Sequence, residues 1–64
     1  MLQMIEVVGV SPAGFTEAVK NAVETLAGQG KVIHFLQVVE QRGSVRDNVI
    51  REFQVVVNVA CEIR

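Results

Sequence analysis

The chain has 64 residues, of which 50% are hydrophobic and 20% are charged, with a formal net charge of −1. Residues 1–64 therefore form one domain, and a domain this small buries only about 60% of the surface that its unfolded chain exposes. The hydrophobic fraction excludes a disordered tail. The absence of a basic run argues against a nucleic-acid partner. No apolar stretch approaches the roughly 20 residues needed to span a bilayer, so we predict a cytoplasmic protein without membrane contact.

A domain of this size needs additional stabilisation from disulfides, a metal or other subunits. The sequence contains one cysteine, Cys61, and one histidine, His34. An internal disulfide is therefore impossible, and a cluster of metal ligands is not expected. This leaves assembly with copies of the same chain as the favoured source of stability.

The first half of the chain predicts a strand followed by a helix. Leu2 to Val10 is rich in β-branched residues and predicts a strand that ends near Gly9. Ser11 and Pro12 are typical of a helix start, because serine can cap free amides and proline suits the first helical position. The apolar positions that follow repeat with helical spacing, and they are Phe15, Ala18, Val19, Ala22, Val23 and Leu26. Gly28-Gln29-Gly30 should end this helix.

The second half predicts two strands, Val32 to Gln41 and Ile50 to Ile63, with turn residues at Arg42-Gly43-Ser44 and Asp47-Asn48. The third strand alternates clearly. Its odd positions are all apolar: Phe53, Val55, Val57, Val59, Cys61 and Ile63. Because successive strand side chains point to opposite sides, this odd face should pack on the helix.

The opposite face of the predicted sheet remains uncovered by the single helix. We predict that the second strand presents four side chains there: Phe35, Gln37, Val39 and Gln41. Phe35, Val39 and Val56 would then be exposed to water. A continuous exposed apolar patch usually marks a subunit interface or a ligand site.

Motifs of catalysis are absent, so we predict that the protein is not an enzyme. The sequence contains no Walker loop, no GxSxG and no CxxC. Gly28-Gln29-Gly30-Lys31 follows a helix and is read as a C-cap, not as a phosphate loop. Cys61 is expected to be a small buried side chain, and His34 a packed or edge histidine and not a ligand.

Three segments in this order resemble the dodecins, small flavin-binding proteins of bacteria and archaea. They are Ile5 to Ser11 before the helix, Val38 to Gly43 in the second strand and Glu52 to Val57 in the third. The resemblance covers nearly the whole chain. It implies an α+β fold of β-α-β-β order, in which a three-stranded antiparallel sheet wraps around one helix.

The resemblance also implies a function. Dodecins assemble twelve copies into a hollow sphere and bind flavins (riboflavin, FMN or FAD) in stacked pairs, and they are proposed to store or sequester them. Some members bind coenzyme A. Carried over to this sequence, the stacking aromatic falls on Phe35, the glutamine that hydrogen-bonds the flavin on Gln54 and the phosphate-reaching arginine on Arg42. Gln37, on the same predicted face, completes the candidate set.

The chain departs from the family at its stacking residue, because dodecins typically have tryptophan where Phe35 stands and this sequence has no tryptophan. The alternative is therefore a dodecin-like assembly that has lost flavin and carries another small ligand, or none.

Overall fold

The computed structural model describes residues 1–63 and contains four elements. They are strand β1 (Leu2–Ser11), helix α1 (Phe15–Gly28), strand β2 (Ile33–Arg46) and strand β3 (Val49–Glu62). The strands form one antiparallel sheet in the order β1-β3-β2, so the last strand is central. The predicted α+β fold with β-α-β-β order is confirmed. Arg64, the last residue of the predicted domain, lies outside the described residues.

The sheet has an inner face, covered by α1, and an outer face on the other side. The core lies between the inner face and the helix and consists of Ala18, Ala22, Leu26, Val55, Val57, Val59 and Cys61. Phe15 and Phe53 close one end of it with an edge-to-face contact, their ring centroids 5.0 Å apart. The predicted odd face of β3 is thus the inner face. The exception is Ile63, which lies beyond the strand and is half exposed.

The predicted helix start is wrong by about one turn. The helix begins at Phe15 with Gly14 as its N-cap, and no side chain caps it among the described residues. Ser11 is instead the last residue of β1, where it pairs with Phe53, and its Oγ accepts a hydrogen bond from the Ala13 amide at 3.0 Å. Because the strand continues to Ser11, Pro12 falls in the connection that reverses the chain.

The predicted helix end is confirmed. Gly30 has φ +82°, the left-handed conformation that glycine adopts without strain. Its amide donates to the Ala27 carbonyl at 3.0 Å, and the Lys31 amide donates to the Leu26 carbonyl at 3.3 Å. This pair of bonds is the Schellman motif, which satisfies the free carbonyls of the last turn.

The second predicted strand is longer than expected, because the turn between β2 and β3 contains only Asp47 and Asn48. Both have positive φ, 55° and 61°, as a two-residue hairpin turn requires and as Asp and Asn tolerate. The prediction of a turn at residues 42–44 is therefore wrong. Arg42 lies within β2, opposite Gln54, and does not close the strand.

A β-bulge at Val39 changes which side chains of β2 share a face. Val38 pairs with Val57 but Glu40 pairs with Val56, so Val39 is an extra residue on β2. Phe35 and Gln37 therefore lie on the outer face as predicted, opposite the even-numbered residues of β3. Gln41 pairs with Val55 and belongs to the inner side. The prediction that all four side chains share one face is therefore wrong for Gln41, and Val39, as the extra residue of the bulge, has no register partner.

The hairpin of β2 and β3 extends well beyond the helix, and the molecule measures 46 × 20 × 13 Å. The helix packs mainly on β1 and β3. At the hairpin tip Val45, Val49 and Ile50 are each at least half exposed. A two-stranded hairpin is only marginally stable on its own. No helix among residues 1–63 has the length and apolarity needed to cross a membrane.

Candidate functional site

The candidate site predicted from the sequence lies on the outer face of the sheet. Directly paired residues of antiparallel strands point to the same side of a sheet. The register therefore assigns to this face Met4, Glu6, Val8 and Val10 of β1, Phe35, Gln37, Glu40 and Arg42 of β2, and Glu52, Gln54, Val56, Asn58 and Ala60 of β3. All four predicted site residues belong to it: Phe35, Gln37, Arg42 and Gln54.

One end of the outer face is apolar and carries an accessible aromatic ring. Phe35 is 55% exposed, although it belongs to a strand of a sheet. Its register partner is Ala60, whose other neighbour is Met4, itself 50% exposed. A large apolar side chain exposed beside a small one leaves its ring face open to a partner molecule. This is the arrangement that stacking on a flat ligand requires.

The other end of the outer face is polar, and its side chains form what we call the Arg42 cluster: Glu40, Arg42, Glu52 and Gln54. The Nε of Arg42 donates to the Oε1 of Gln54 at 2.7 Å, and its Nη1 lies 3.4 Å from the Oε1 of Glu40. The Nε2 of Gln54 donates to the Oε1 of Glu52 at 2.8 Å. The four side chains therefore form one continuous chain of hydrogen bonds across the two strands.

This chain of bonds fixes the orientation of the Gln54 amide. Its oxygen faces a donor, Arg42, and its nitrogen faces an acceptor, Glu52. The amide has two lone pairs and two N–H groups, so one acceptor and one donor position remain available. A half-buried amide held in this way can bind an imide edge, where an N–H lies beside a carbonyl.

The Arg42 cluster also has an unbalanced charge. Glu40 and Glu52 contribute two negative charges, and Arg42 contributes one positive charge. Neither carboxylate was among the site residues predicted from the sequence. Glu40 sits two residues before Arg42 and Glu52 two residues before Gln54, so the spacing of a strand could have indicated that each pair shares a face.

The aromatic end and the polar end are too far apart to serve one ligand within a single chain. Phe35 lies opposite Ala60, which is six residues along β3 from Gln54. At about 3.3 Å per residue this separation is about 20 Å, more than the length of a three-ring heterocycle. A site that uses both Phe35 and Gln54 must therefore take them from two different chains.

A second concave surface lies between α1 and β1 and has a volume of ≈ 460 Å³. Its walls are mostly apolar, and the four predicted site residues do not line it. Two of its polar side chains bond internally: the Asn21 amide donates to the Val10 carbonyl at 2.9 Å, and the Thr25 hydroxyl donates to the Asn21 carbonyl at 2.9 Å. This concave surface runs beside the edge of β1 that pairs with no other strand of the sheet. This position is expected of a surface for packing.

The fold and this open sheet face define a small single-helix protein of β-α-β-β order. The Dodecin family model matches residues 1–64, and the chain belongs to the dodecin family. The structure resembles dodecin from Streptomyces coelicolor, with 28% identity over 100% of this chain and 91% of that one, and a TM-score of 0.95. Dodecin from Streptomyces davaonensis gives 26% identity, 100% and 94% coverage and a TM-score of 0.94. No curated protein matches the chain.

Two further solved structures are similar to this chain. A Thermus thermophilus dodecin in which a tryptophan is replaced by phenylalanine has 26% identity, covers 100% of this chain and 96% of its own, and gives a TM-score of 0.92. A calcium-chelating dodecin from Mycobacterium tuberculosis is 22% identical with a TM-score of 0.88, which is a likeness of fold alone. Within residues 1–63 of the present chain, no three His, Cys, Asp or Glu side chains are grouped to hold a metal ion.

Proposed function

We propose that the protein is a flavin-binding and flavin-storing dodecin that acts as a hollow homododecamer in the cytoplasm and catalyses no reaction. The flavin stacks on Phe35 of one copy, and its imide edge is hydrogen-bonded by Gln54 of another. The observation that carries this proposal is the outer face itself. It combines an open aromatic ring with an oriented amide, about 20 Å apart, so that only an assembly can bring them together.

The exposed apolar surface supports the assembly. Met4, Val8 and Val10 of the outer face are 44–53% exposed, and the hairpin tip adds three more apolar side chains. Apolar surface of this extent on a small domain usually lies in an interface. The wild-type domain should therefore gain from other copies the burial that its own short chain does not provide.

Storage fits the outer face better than catalysis. The polar side chains there bond to one another in the Arg42 cluster, which leaves a binding amide. At the aromatic end, His34 and Glu62 are bonded to each other, with the Nε2 of His34 3.1 Å from the Oε1 of Glu62. Arg42 holds Gln54 in place in this proposal, because its Nε is already bonded to the amide oxygen. Gln37, opposite Asn58 and exposed, lies between the two ends and can bond the ligand from the side. The proposal that coenzyme A also binds rests on the family resemblance alone.

The alternative, a dodecin-like assembly without flavin, is favoured by one observation. Phe35 replaces the tryptophan typical of the family, and a phenyl ring offers less stacking area. The structurally similar Thermus thermophilus variant keeps the dodecin fold with phenylalanine in place of a tryptophan. The fold therefore does not depend on such an indole, and the alternative differs from the proposal in the ligand only.

We expect Gln54→Ala to weaken riboflavin binding by about 1–3 kcal/mol, because a half-buried hydrogen-bonding amide is lost. The measurement is a riboflavin fluorescence titration of the assembled protein. Gln41→Ala is the matched control, since Gln41 lies at the same end of the sheet but on the inner side. Equal affinities for the wild type and Gln54→Ala would contradict the assignment of the flavin edge to Gln54.

A further inference from the structure

We infer that the flavin this protein holds is the uncharged form without phosphate, riboflavin or a flavin of its kind, and that Glu40 and Glu52 select against the phosphorylated forms. This inference rests on the proposed function and deepens it, since it names the ligand class of the same site. The observation behind it is the charge of the Arg42 cluster, which surrounds the amide proposed to bind the flavin.

The positive charge of Arg42 is already paired with a carboxylate of the same chain. Arg42 has Glu40 at 3.4 Å from its Nη1 and donates its Nε to Gln54. A phosphate that approaches Arg42 must compete with a carboxylate of the same chain. Glu52 then adds a second negative charge on the far side of Gln54, bonded to its amide nitrogen. The cluster therefore presents one excess negative charge to a ligand.

Within residues 1–63, the surrounding outer face adds no cation that is bonded to the Arg42 cluster. Glu6 lies on it opposite Asn58. Glu62, at the aromatic end, has its Oε1 3.1 Å from the Nε2 of His34. Arg46 and Arg51 are the further cations of the hairpin. Arg46 lies at the turn and Arg51 directly precedes Glu52, and neither is hydrogen-bonded or ion-paired to the Arg42 cluster. Among the described residues of the outer face from Phe35 to Gln54, the acidic side chains Glu6 and Glu40 outnumber the basic one, Arg42.

When two copies meet across a symmetric contact, the excess negative charge near the ligand is doubled. Every group on one copy is repeated by the other in such a contact, so a flavin between them meets the excess negative charge of both clusters. The ribityl chain is short enough to keep a phosphate within about 10 Å of the imide edge. Charges at this distance are only partly screened at 0.1 M salt. Riboflavin carries the same ring and ribityl chain without this repulsion.

The test compares riboflavin with FMN, because the two ligands differ only by the phosphate. Fluorescence titrations of the full-length assembled protein are made at about 20 mM and about 500 mM NaCl. We expect riboflavin to bind about tenfold tighter than FMN at low salt, and the ratio to fall towards one at high salt. Glu52→Gln should reduce the low-salt ratio several-fold, since glutamine still accepts the bond from Gln54 but carries no charge.

Glu24→Gln is the matched control, because it removes the same charge from the exposed face of the helix. It should leave the ratio at the wild-type value. If FMN binds as tightly as riboflavin at low salt, or if both variants change the ratio equally, the inference is overturned while flavin binding stands. If neither ligand binds to an intact assembly, the proposed function fails, and the inference fails with it.

Discussion

Replacing Gly9 with alanine is expected to destabilise the subunit by several kcal/mol and to prevent its assembly. Gly9 lies on the inner face of β1, opposite Val55, where the helix crosses the strand closely. A Cβ atom at this position would lie 2.1 Å from the carbonyl oxygen of Ala18 and 3.0 Å from the Cβ of Ala22. The nearest obstacle is helix backbone, which cannot rotate away as a flexible side chain would.

The helix would have to move off the sheet and open the core that contains Ala18 and Ala22. Inserting one methyl into a packed core typically costs about 1–3 kcal/mol and sometimes more, and this contact is far closer than an ordinary one. A domain of this length has a total stability of only about 3–10 kcal/mol. The substitution therefore removes a large fraction of the free energy of unfolding.

Thermal unfolding followed by circular dichroism measures this effect, and Gly28→Ala is the matched control. Gly28 ends the helix with a negative φ, and an added Cβ there meets no atom of residues 1–63 within 4 Å. Alanine favours the helical conformation over glycine by up to about 1 kcal/mol, so this variant should unfold at the wild-type temperature or above it. Unchanged unfolding of Gly9→Ala would show that the helix does not pack on β1 in this way.

Replacing Phe35 with tryptophan is expected to tighten riboflavin binding by about tenfold and to deepen the quenching of its fluorescence. The side chain is 55% exposed on the outer face, so a larger ring can enter without displacing the core. Stacking of an aromatic side chain on a base is worth about 1–3 kcal/mol in nucleic-acid sites, and an indole offers more area than a phenyl ring. Indole is also the better electron donor, and electron donation quenches an excited flavin.

The measurement is a fluorescence titration of three proteins under identical conditions: wild type, Phe35→Trp and Phe35→Leu. Leucine keeps the apolar volume but has no π-face, so Phe35→Leu should bind more weakly than the wild type. Light scattering of each variant verifies that the assembly persists. If all three proteins bind and quench riboflavin equally, Phe35 is not the stacking residue.

The inner face of the sheet could be predicted from the sequence because one physical rule dominates it. Each odd position from Val55 to Cys61 is apolar, and strand side chains alternate strictly, so burial of one fixes the others. The apolar stripe of the helix could be predicted from its spacing in the same way. The start of the helix could not, because Ser11 and Pro12 are typical of a helix start. The pairing of Ser11 with Phe53 instead keeps Ser11 in β1.

The outer face could be predicted only in part, because the pairing of β2 with β3 shifts its register at three places, and two of these shifts set the position of Arg42. Counting back from the turn at Asp47-Asn48 would place Arg42 opposite Phe53, on the wrong side of the sheet. An extra residue in β3 between Glu52 and Ile50 shifts the register by one and brings Arg42 opposite Gln54. The bulge at Val39 then shifts it back. A single sequence gives no pattern that locates either bulge, so the Arg42 cluster emerges only from the structure.

The most direct test of the central claim, that the outer faces of several copies hold flavin together, is sedimentation velocity of the wild-type protein with riboflavin, followed at the flavin absorbance. We predict that bound riboflavin sediments with a species of about twelve subunits, that each chain binds up to one flavin, and that a Gln54→Ala sample carries less flavin at the same oligomer mass. Riboflavin absorbance that does not sediment, and stays spread evenly through the cell while the oligomer moves, would contradict flavin binding. A protein that sediments as a monomer or dimer would contradict the assembly on which the site depends.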